Sequence, residues 1–110
     1  MLRRRYKLNI SIAPKNLNRF YKGRLITAKS VPNSLLFSRI GVSVSKRYSL
    51  RATERNRIRR VIEAFFAQNE PFLTENRPFR DILISVLTAD GKKQDNEQSV
   101  LSELKNVISI

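Results

Sequence analysis

Cysteine and histidine are both absent from this sequence. Without cysteine, the chain can form neither disulfide bonds nor thiolate metal sites. Without histidine, it lacks the commonest metal ligand and the usual general base of protein catalysis. No apolar run approaches the roughly 18 residues that a membrane span needs, and no apolar signal-peptide core follows the N-terminal arginines. These features predict a cytoplasmic protein.

Acidic residues are scarce and unevenly placed. The chain has 22 Lys and Arg against 9 Asp and Glu, a net charge of +13. Residues 1–60 hold 17 basic residues and one acid, a net of +16, whereas residues 61–110 hold 5 basic and 8 acidic residues, a net of −3. Self-repulsion opposes compaction, and a bound polyanion would relieve it. Nucleic acid is the favoured polyanion. A membrane surface fits less well, because the apolar faces are needed for a core.

The composition is otherwise globular, with 41% hydrophobic and 8% aromatic residues. A length of 110 residues predicts one domain over residues 1–110. A metal-dependent nuclease needs several carboxylates that converge on its ions. The acids considered for such a role are scattered, and we predict that they are cap or turn residues: Asp81, Asp90, Asp95 and Glu97. We therefore expect neither a catalytic side chain nor a metal site in this chain.

Hydrophobic periodicity predicts two strands, a helix, a strand and a second helix. The predicted strands are residues 24–31, 35–46 and 80–88, and the predicted helices are residues 53–69 and 96–109. A short helix is predicted over residues 16–21, and turns at residues 32–34 and 89–92. The order indicates an α+β fold with helices packed on a small sheet.

Alternation divides the second strand into two faces. We assign to its core face Leu36, Ser38, Ile40, Val42 and Val44. The other face carries Phe37, Arg39, Gly41, Ser43 and Ser45. The strand at 80–88 is apolar on both faces, which predicts a central, covered position.

Each predicted helix has one apolar stripe at helical spacing. The first stripe consists of Ile58, Val61, Ile62, Phe65 and Phe66, and the second of Val100, Leu101, Leu104, Val107 and Ile108. We predict that Thr53 caps the first helix and that Pro71 stops it. Asp95 or Asn96 is the predicted cap of the second helix.

Four arginines occupy the first two turns of the first helix: Arg55, Arg57, Arg59 and Arg60. A cation near a helix N-terminus costs on the order of 0.3–1 kcal/mol, because that end of the dipole is positive. Against phosphates the arrangement becomes favourable, since backbone N–H groups and guanidinium forks then face anionic oxygens. Asn56 adds a donor and an acceptor that suit a sugar hydroxyl or base edge.

Cations and an aromatic ring precede this helix. The run Ser45-Lys46-Arg47-Tyr48 offers a hydroxyl, two charges and one ring. Phosphate contacts with adjacent base stacking are typical of proteins that bind single strands. Plain packing in the core explains Tyr48 equally well.

Two linked motifs resemble the signature of the bacterial ribonuclease P protein. They are Arg39-x-Gly41-x-x-Val44-Ser45-Lys46-Arg47 and Ala52-x-x-Arg55-Asn56-Arg57-x-Arg59-Arg60. Together they span about 22 residues, and Phe20-x-x-Gly23 resembles the end of that family's first helix. The loop at residues 49–51 departs from the family pattern by an extra residue and a missing glycine. The family's second aromatic is replaced by Lys15 or Asn16.

The resemblance implies a two-layer α/β sandwich with a small mixed sheet and a left-handed β-α-β crossover, as in the ribosomal protein S5 domain 2-like fold. It implies a protein subunit that binds a catalytic RNA and the 5′ leader of precursor tRNA, while that RNA cleaves the leader with bound Mg²⁺. The implied RNA contacts are Arg39, Ser45, Lys46, Arg47, Arg55, Asn56, Arg57, Arg59 and Arg60. Phe20 and Tyr48 are leader-cleft candidates. We expect a monomer within the ribonucleoprotein, with neither membrane nor DNA as a partner.

Three other classes of protein share some of these features. A ribosomal protein or general RNA chaperone would have the charge but no reason to pair the two motifs. A basic-region DNA-binding protein would need a leucine heptad coil continuing from the arginine-rich helix, which Pro71 argues against. A self-sufficient nuclease would need the histidine or clustered acids that the sequence lacks.

Overall fold

The computed structural model describes residues 2–9, 16–89 and 93–109. Its strands are β1 (Asn18–Lys22), β2 (Ile26–Pro32), β3 (Arg39–Val44) and β4 (Arg80–Val86). Its α-helices are α1 (Ala52–Gln68), α2 (Glu70–Thr74) and α3 (Lys93–Ile108), and a 3-10 turn covers Arg4–Tyr6. The strands form one mixed sheet in the order β1-β2-β4-β3. The pairs β1–β2 and β2–β4 are antiparallel, and β3–β4 is parallel. This confirms the α+β fold with a small mixed sheet.

The core lies between one face of this sheet and the helices. Strand register aligns Ala28, Ile84 and Val42 across three strands, so they share a face. These side chains belong to one buried cluster with the predicted stripes of α1 and α3. In the α1 stripe only Val61 is half-buried, and in the α3 stripe Leu101 and Ile108 are half-buried. Both amphipathic helices therefore bury the faces that their periodicity predicted.

Glu103 of α3 fastens this helix to the β1–β2 hairpin. Its carboxylate accepts hydrogen bonds from the Leu25 amide at 3.0 Å and the Tyr21 hydroxyl at 3.3 Å. A Cβ atom at Gly23 would overlap the Glu103 carboxylate. A larger residue at position 23 would therefore displace the Glu103 carboxylate from its hydrogen bonds with Leu25 and Tyr21.

Several predicted elements were wrong. Residues 18–22 form β1 and not a helix, because the free edge of β2 offers backbone hydrogen bonds that a short isolated helix cannot match. The second strand begins at Arg39, so Leu36 is not on the core face and is 83% exposed. The side chain of Asn33 organises the preceding loop, since it bonds the Leu35 amide and the Phe37 carbonyl.

The predicted helix ends also differ from the structure. Arg51, not Thr53, is the N-cap of α1, and it makes no capping side-chain hydrogen bond. Pro71 does not stop α1, which ends at Gln68, but lies in the first turn of α2. The helix α3 begins at Lys93, so the predicted caps at residues 95 and 96 lie inside it. Lys15 lies outside the described residues, and so do residues 90–92 of the predicted turn, which include Asp90. The side chain of Asp95 is not described either.

Candidate nucleic-acid interface

The first turns of α1 present the predicted arginines at an uncapped helix end. Asn56, Arg57, Arg59 and Arg60 are exposed, whereas Arg55 is half-buried. No side chain caps this end, and the Glu54 amide donates to the Arg51 carbonyl at 3.2 Å, so the amides that precede Glu54 are the ones open to a ligand. Among the residues that the structure describes, no ion pair engages Arg59 or Arg60. Both guanidinium groups can therefore bind an external anion without breaking an ion pair with any described residue.

The loop between β3 and α1 is held by its serines. The Ser45 amide donates to the Val86 carbonyl at 2.9 Å, and the Ser45 carbonyl accepts from the Tyr48 amide at 3.0 Å. The Ser45 hydroxyl accepts from the Arg47 amide at 3.0 Å. This turn exposes Lys46 and Arg47. Ser45 therefore shapes the loop that carries the two cations.

Arg55 joins this loop to the helix. Its Nη1 donates to the Ser49 carbonyl at 2.8 Å, and the Ser49 hydroxyl donates to Glu54 at 2.8 Å. The same hydroxyl accepts from the Arg51 amide at 3.1 Å. These bonds set the position of Lys46 and Arg47 relative to α1. The structure thus brings the predicted loop residues and the predicted helix residues into one basic surface.

Arg57 and Tyr48 both have partners on or near α3. The Arg57 Nε donates to Glu97 Oε1 at 2.8 Å, which links α1 to α3. Tyr48 is half-buried against the core. Burial raises its pKa, and the charges of Glu97 and Glu54 raise it further against the opposing charge of Arg57. Glu97 was predicted as a cap or turn residue, but its side chain is an ion-pair partner.

Arg39 lies at the other end of β3 from Lys46. It is the register partner of Asp81 on β4, and its guanidinium donates to both carboxylate oxygens, at 2.8 and 2.7 Å. Asn33 also donates to Asp81, at 3.0 Å. Burial raises the pKa of Asp81, but hydrogen bonds from Arg39 and Asn33 and the charge of Arg39 leave it below its usual value. The prediction of Asp81 as a cap or turn residue was wrong.

Phe20 lies on β1, at the sheet edge opposite β3. The Arg80 guanidinium lies 4.6 Å from the centre of its ring. Desolvation lowers the pKa of Arg80, whose Nη1 also reaches the Ser30 hydroxyl at 3.5 Å. Sequence reasoning missed this cation–aromatic pair, because β1 was not predicted and nothing local joins positions 20 and 80. Neither Phe20 nor Arg39 belongs to the basic surface at α1.

The described residues contain no group of three or more potential metal-ligating His, Cys, Asp or Glu side chains. None of the helices they form is long and apolar enough to cross a membrane.

Comparison with known proteins identifies the family. A family model described as Ribonuclease P matches residues 11–109. The ribonuclease P protein component of Pseudanabaena sp. (strain PCC 6903) is 32% identical over 90 residues, which cover 81% of this chain and 73% of that protein.

Solved structures of RNase P proteins have a similar fold. One from Staphylococcus aureus has a TM-score of 0.66 at 20% identity, and the match covers 99% of this chain and 91% of that one. One from Thermotoga maritima has a TM-score of 0.64 at 19% identity, over 86% and 83% of the two chains. These likenesses show the fold. The family match, which extends over nearly the whole sequence, and the Pseudanabaena relative show that the chain belongs to the ribonuclease P protein family.

Proposed function

We propose that this chain is the protein subunit of ribonuclease P, and that it binds the catalytic RNA through the basic surface formed by α1 and the loop before it. The observation that carries the proposal is the exposure of Arg59 and Arg60 about two turns into a helix whose uncapped N-terminus follows the loop of exposed Lys46 and Arg47. Phosphates fit this surface because the helix dipole, free amides and guanidinium forks all favour anionic oxygens. Arg55 and Ser45 act mainly as positioning residues.

We also propose that the protein holds the 5′ leader of precursor tRNA against the sheet face opposite the helices. On that face Lys29 and Ser43 are exposed, and Gly41, which is aligned with Lys29 across Leu83, has no side chain to obstruct a nucleotide. Arg39 borders the face, although Asp81 already engages its guanidinium. Phe20 and Tyr48, the predicted leader-cleft residues, both pack against the core cluster, so we do not place them on this face. In the assembled enzyme, Mg²⁺ bound to the RNA subunit supplies the chemistry, and this chain supplies binding and orientation.

A cleavage assay on 5′-labelled precursor tRNA at low Mg²⁺ tests the proposal. The assay compares the protein alone, a bacterial ribonuclease P RNA alone, and the mixture. We expect only the mixture to cut efficiently at the mature 5′ end. The variant Arg59→Ala/Arg60→Ala should stimulate at least roughly tenfold less, because each lost phosphate contact weakens binding. Its matched control is Arg77→Ala/Lys105→Ala, which removes the same charge from exposed positions away from this surface.

Each other outcome points to a different function. Cutting by the protein alone would assign the chemistry to this chain and not to the RNA. A mixture no better than RNA alone would favour a ribosomal protein or a general RNA-binding protein, which co-sedimentation with ribosomal subunits would then detect.

A further inference from the structure

A second cluster of arginines lies near the N-terminus, at Arg3, Arg4 and Arg5. It precedes the segment matched by the family, which begins at residue 11. The surrounding residues 2–9 are anchored, because Leu2, Tyr6 and Leu8 are all buried. The three arginines are exposed. The structure thus holds the triplet in place on the surface of the molecule.

Backbone pairing fixes where the triplet lies. Lys7 forms a parallel bridge with Ile40 of β3, and the Leu8 amide donates to the Ile40 carbonyl at 2.8 Å. The Tyr6 ring packs edge-on against Phe37, just before β3, with ring centres 5.4 Å apart. The triplet therefore lies beside the beginning of β3, whereas the loop that carries Lys46 and Arg47 follows its end. Six strand residues separate them, about 20 Å.

The segment that carries the triplet also contacts the arginine-bearing helix, through Lys7. The Lys7 ammonium lies 3.9 Å from the Glu63 carboxylate on α1. Glu63 is one helical turn beyond Arg59 and Arg60. Lys7 and Glu63 thus link the segment that carries the triplet to α1, on the side of the helix where Arg59 and Arg60 lie.

The charges of the triplet are not used within the described part of the protein. No described carboxylate forms an ion pair with Arg3, Arg4 or Arg5. The Arg5 guanidinium lies 6.0 Å from the Tyr6 ring centre. Burial and Glu70 raise the pKa of Tyr6, and the charges of Arg5 and Arg3 oppose that rise. Three adjacent unpaired cations repel one another in a chain that is already strongly positive. Guanidinium forks on an anchored segment suit phosphate groups, since little conformational freedom is lost on binding.

We infer that the Arg3–Arg5 triplet is a second phosphate-binding site for the RNA subunit, on a stretch of RNA backbone separate from the one held at the start of α1. The inference rests on the proposed function, because it takes the RNA subunit as the partner of α1. The Lys7–Glu63 contact of this segment with α1 favours that RNA over precursor tRNA, for which we propose the opposite face of the sheet.

The test uses the variant Arg3→Ala/Arg4→Ala and the control Arg77→Ala/Lys105→Ala, which lose equal charge. Binding to the ribonuclease P RNA is measured from about 50 to 200 mM salt. The triplet variant should bind roughly tenfold more weakly at physiological salt, and the slope of log K against log salt should fall by about 2. In hydroxyl-radical footprinting it should lose one protected RNA segment, while the segment protected by Arg59 and Arg60 stays protected.

If the control variant shows the same decrease in the slope of log K against log salt as the triplet variant, the RNA is attracted by overall positive charge, and the proposal of a site at Arg3–Arg5 is wrong. Weakened binding to isolated precursor tRNA, with binding to the RNA subunit unchanged, would assign the triplet to the other RNA. Thermal unfolding should be unchanged by these exposed substitutions, and Arg3→Lys/Arg4→Lys should retain most of the slope. If wild-type protein fails to bind the RNA subunit, the proposed function fails as well. Wild-type binding that depends on Arg59 and Arg60 but not on the triplet would overturn only this inference.

Discussion

Among individual side chains, Asp81 and Arg39 show how strand register creates an interaction. They lie 42 positions apart in sequence, yet they face each other across the parallel β3–β4 pair. Asp81 is 3% exposed, while the Arg39 side chain remains 33% exposed. A carboxylate this buried is stabilised by its partners, so its removal leaves a guanidinium without compensation.

We predict that Asp81→Asn lowers the free energy of unfolding by about 3 kcal/mol. This is the lower end of the range for breaking a buried ion pair, because the Arg39 side chain is partly exposed and water can solvate its charge. Denaturant unfolding at pH 7 measures this loss. The Asp81 pKa is depressed in the folded state, so its contribution is present above the unfolded pKa of about 3.9 and disappears as pH falls through the folded pKa. The variant should therefore lose stability less steeply on acidification. The double variant Arg39→Ala/Asp81→Asn is the control, and additive effects of the two changes would show that the pair is not coupled.

Glu97 restrains Arg57 at the edge of the basic surface. We predict that Glu97→Gln raises affinity for the RNA subunit about threefold at low salt, because it frees the Arg57 guanidinium and removes a negative charge. Stability should change by less than about 1 kcal/mol, since the Arg57 side chain is 77% exposed. Filter binding compares this variant with Glu75→Gln, an equal charge change at an exposed position of the described chain. Weaker binding by Glu97→Gln would show instead that Glu97 orients Arg57 for RNA.

Among the elements, α1 has a buried apolar face but an N-terminus whose residues are unfavourable for helix stability. Its apolar stripe is buried against the sheet and α3. Its N-cap is Arg51, which makes no capping hydrogen bond, and its first turns carry the arginines. A helix selected for stability alone would begin with a small polar cap and acidic residues. The beginning of α1 is therefore suited to an anionic ligand at the expense of helix stability.

We predict that Arg51→Ser stabilises the protein by about 1 kcal/mol, because serine can cap an N–H group of the first turn. The Arg51–Glu54 contact that it removes, at 3.8 Å, is exposed and contributes little. RNA affinity should fall, and its salt slope should fall by about 1 if Arg51 contacts a phosphate. Thermal unfolding and salt-dependent binding measure the two effects. Arg51→Ala separates them, since it removes the charge without adding a cap, and equal stability of both variants would contradict the capping argument.

At the scale of the whole molecule, repulsion among the many positive charges opposes folding. The net charge of +13 is concentrated in residues 1–60, which form β1, β2, β3 and the beginning of α1. Folding brings these cations close together, so electrostatic repulsion lowers the stability of the free protein. Screening by salt or binding of RNA should relieve this repulsion.

We predict that the melting temperature rises by several degrees between about 10 and 150 mM NaCl, as the screening length shortens from about 30 to 8 Å. A gain of about 1 kcal/mol corresponds to roughly 4–8 °C for a domain of this size. Circular dichroism melts provide the measurement. Arg3→Glu/Arg4→Glu lowers the net charge and should show a smaller rise. A melting temperature that falls with salt would mean that attractive ion pairs outweigh the repulsion.

The α1 and α3 stripes, the paired motifs and the skewed charge could be recognised from sequence, because periodicity and composition are local properties. Residues 18–22 could not be recognised as a strand, since their partners in β2 decide their conformation. Nor could the sequence distinguish arginines that form ion pairs within the protein from arginines that do not. Arg57 and Glu97 are 40 positions apart, whereas Arg59 and Arg60 have no such partner in the described chain. Local sequence patterns thus determined the family and the basic helix. Tertiary packing alone decided which cations remain available for RNA, because their partners lie far away in sequence.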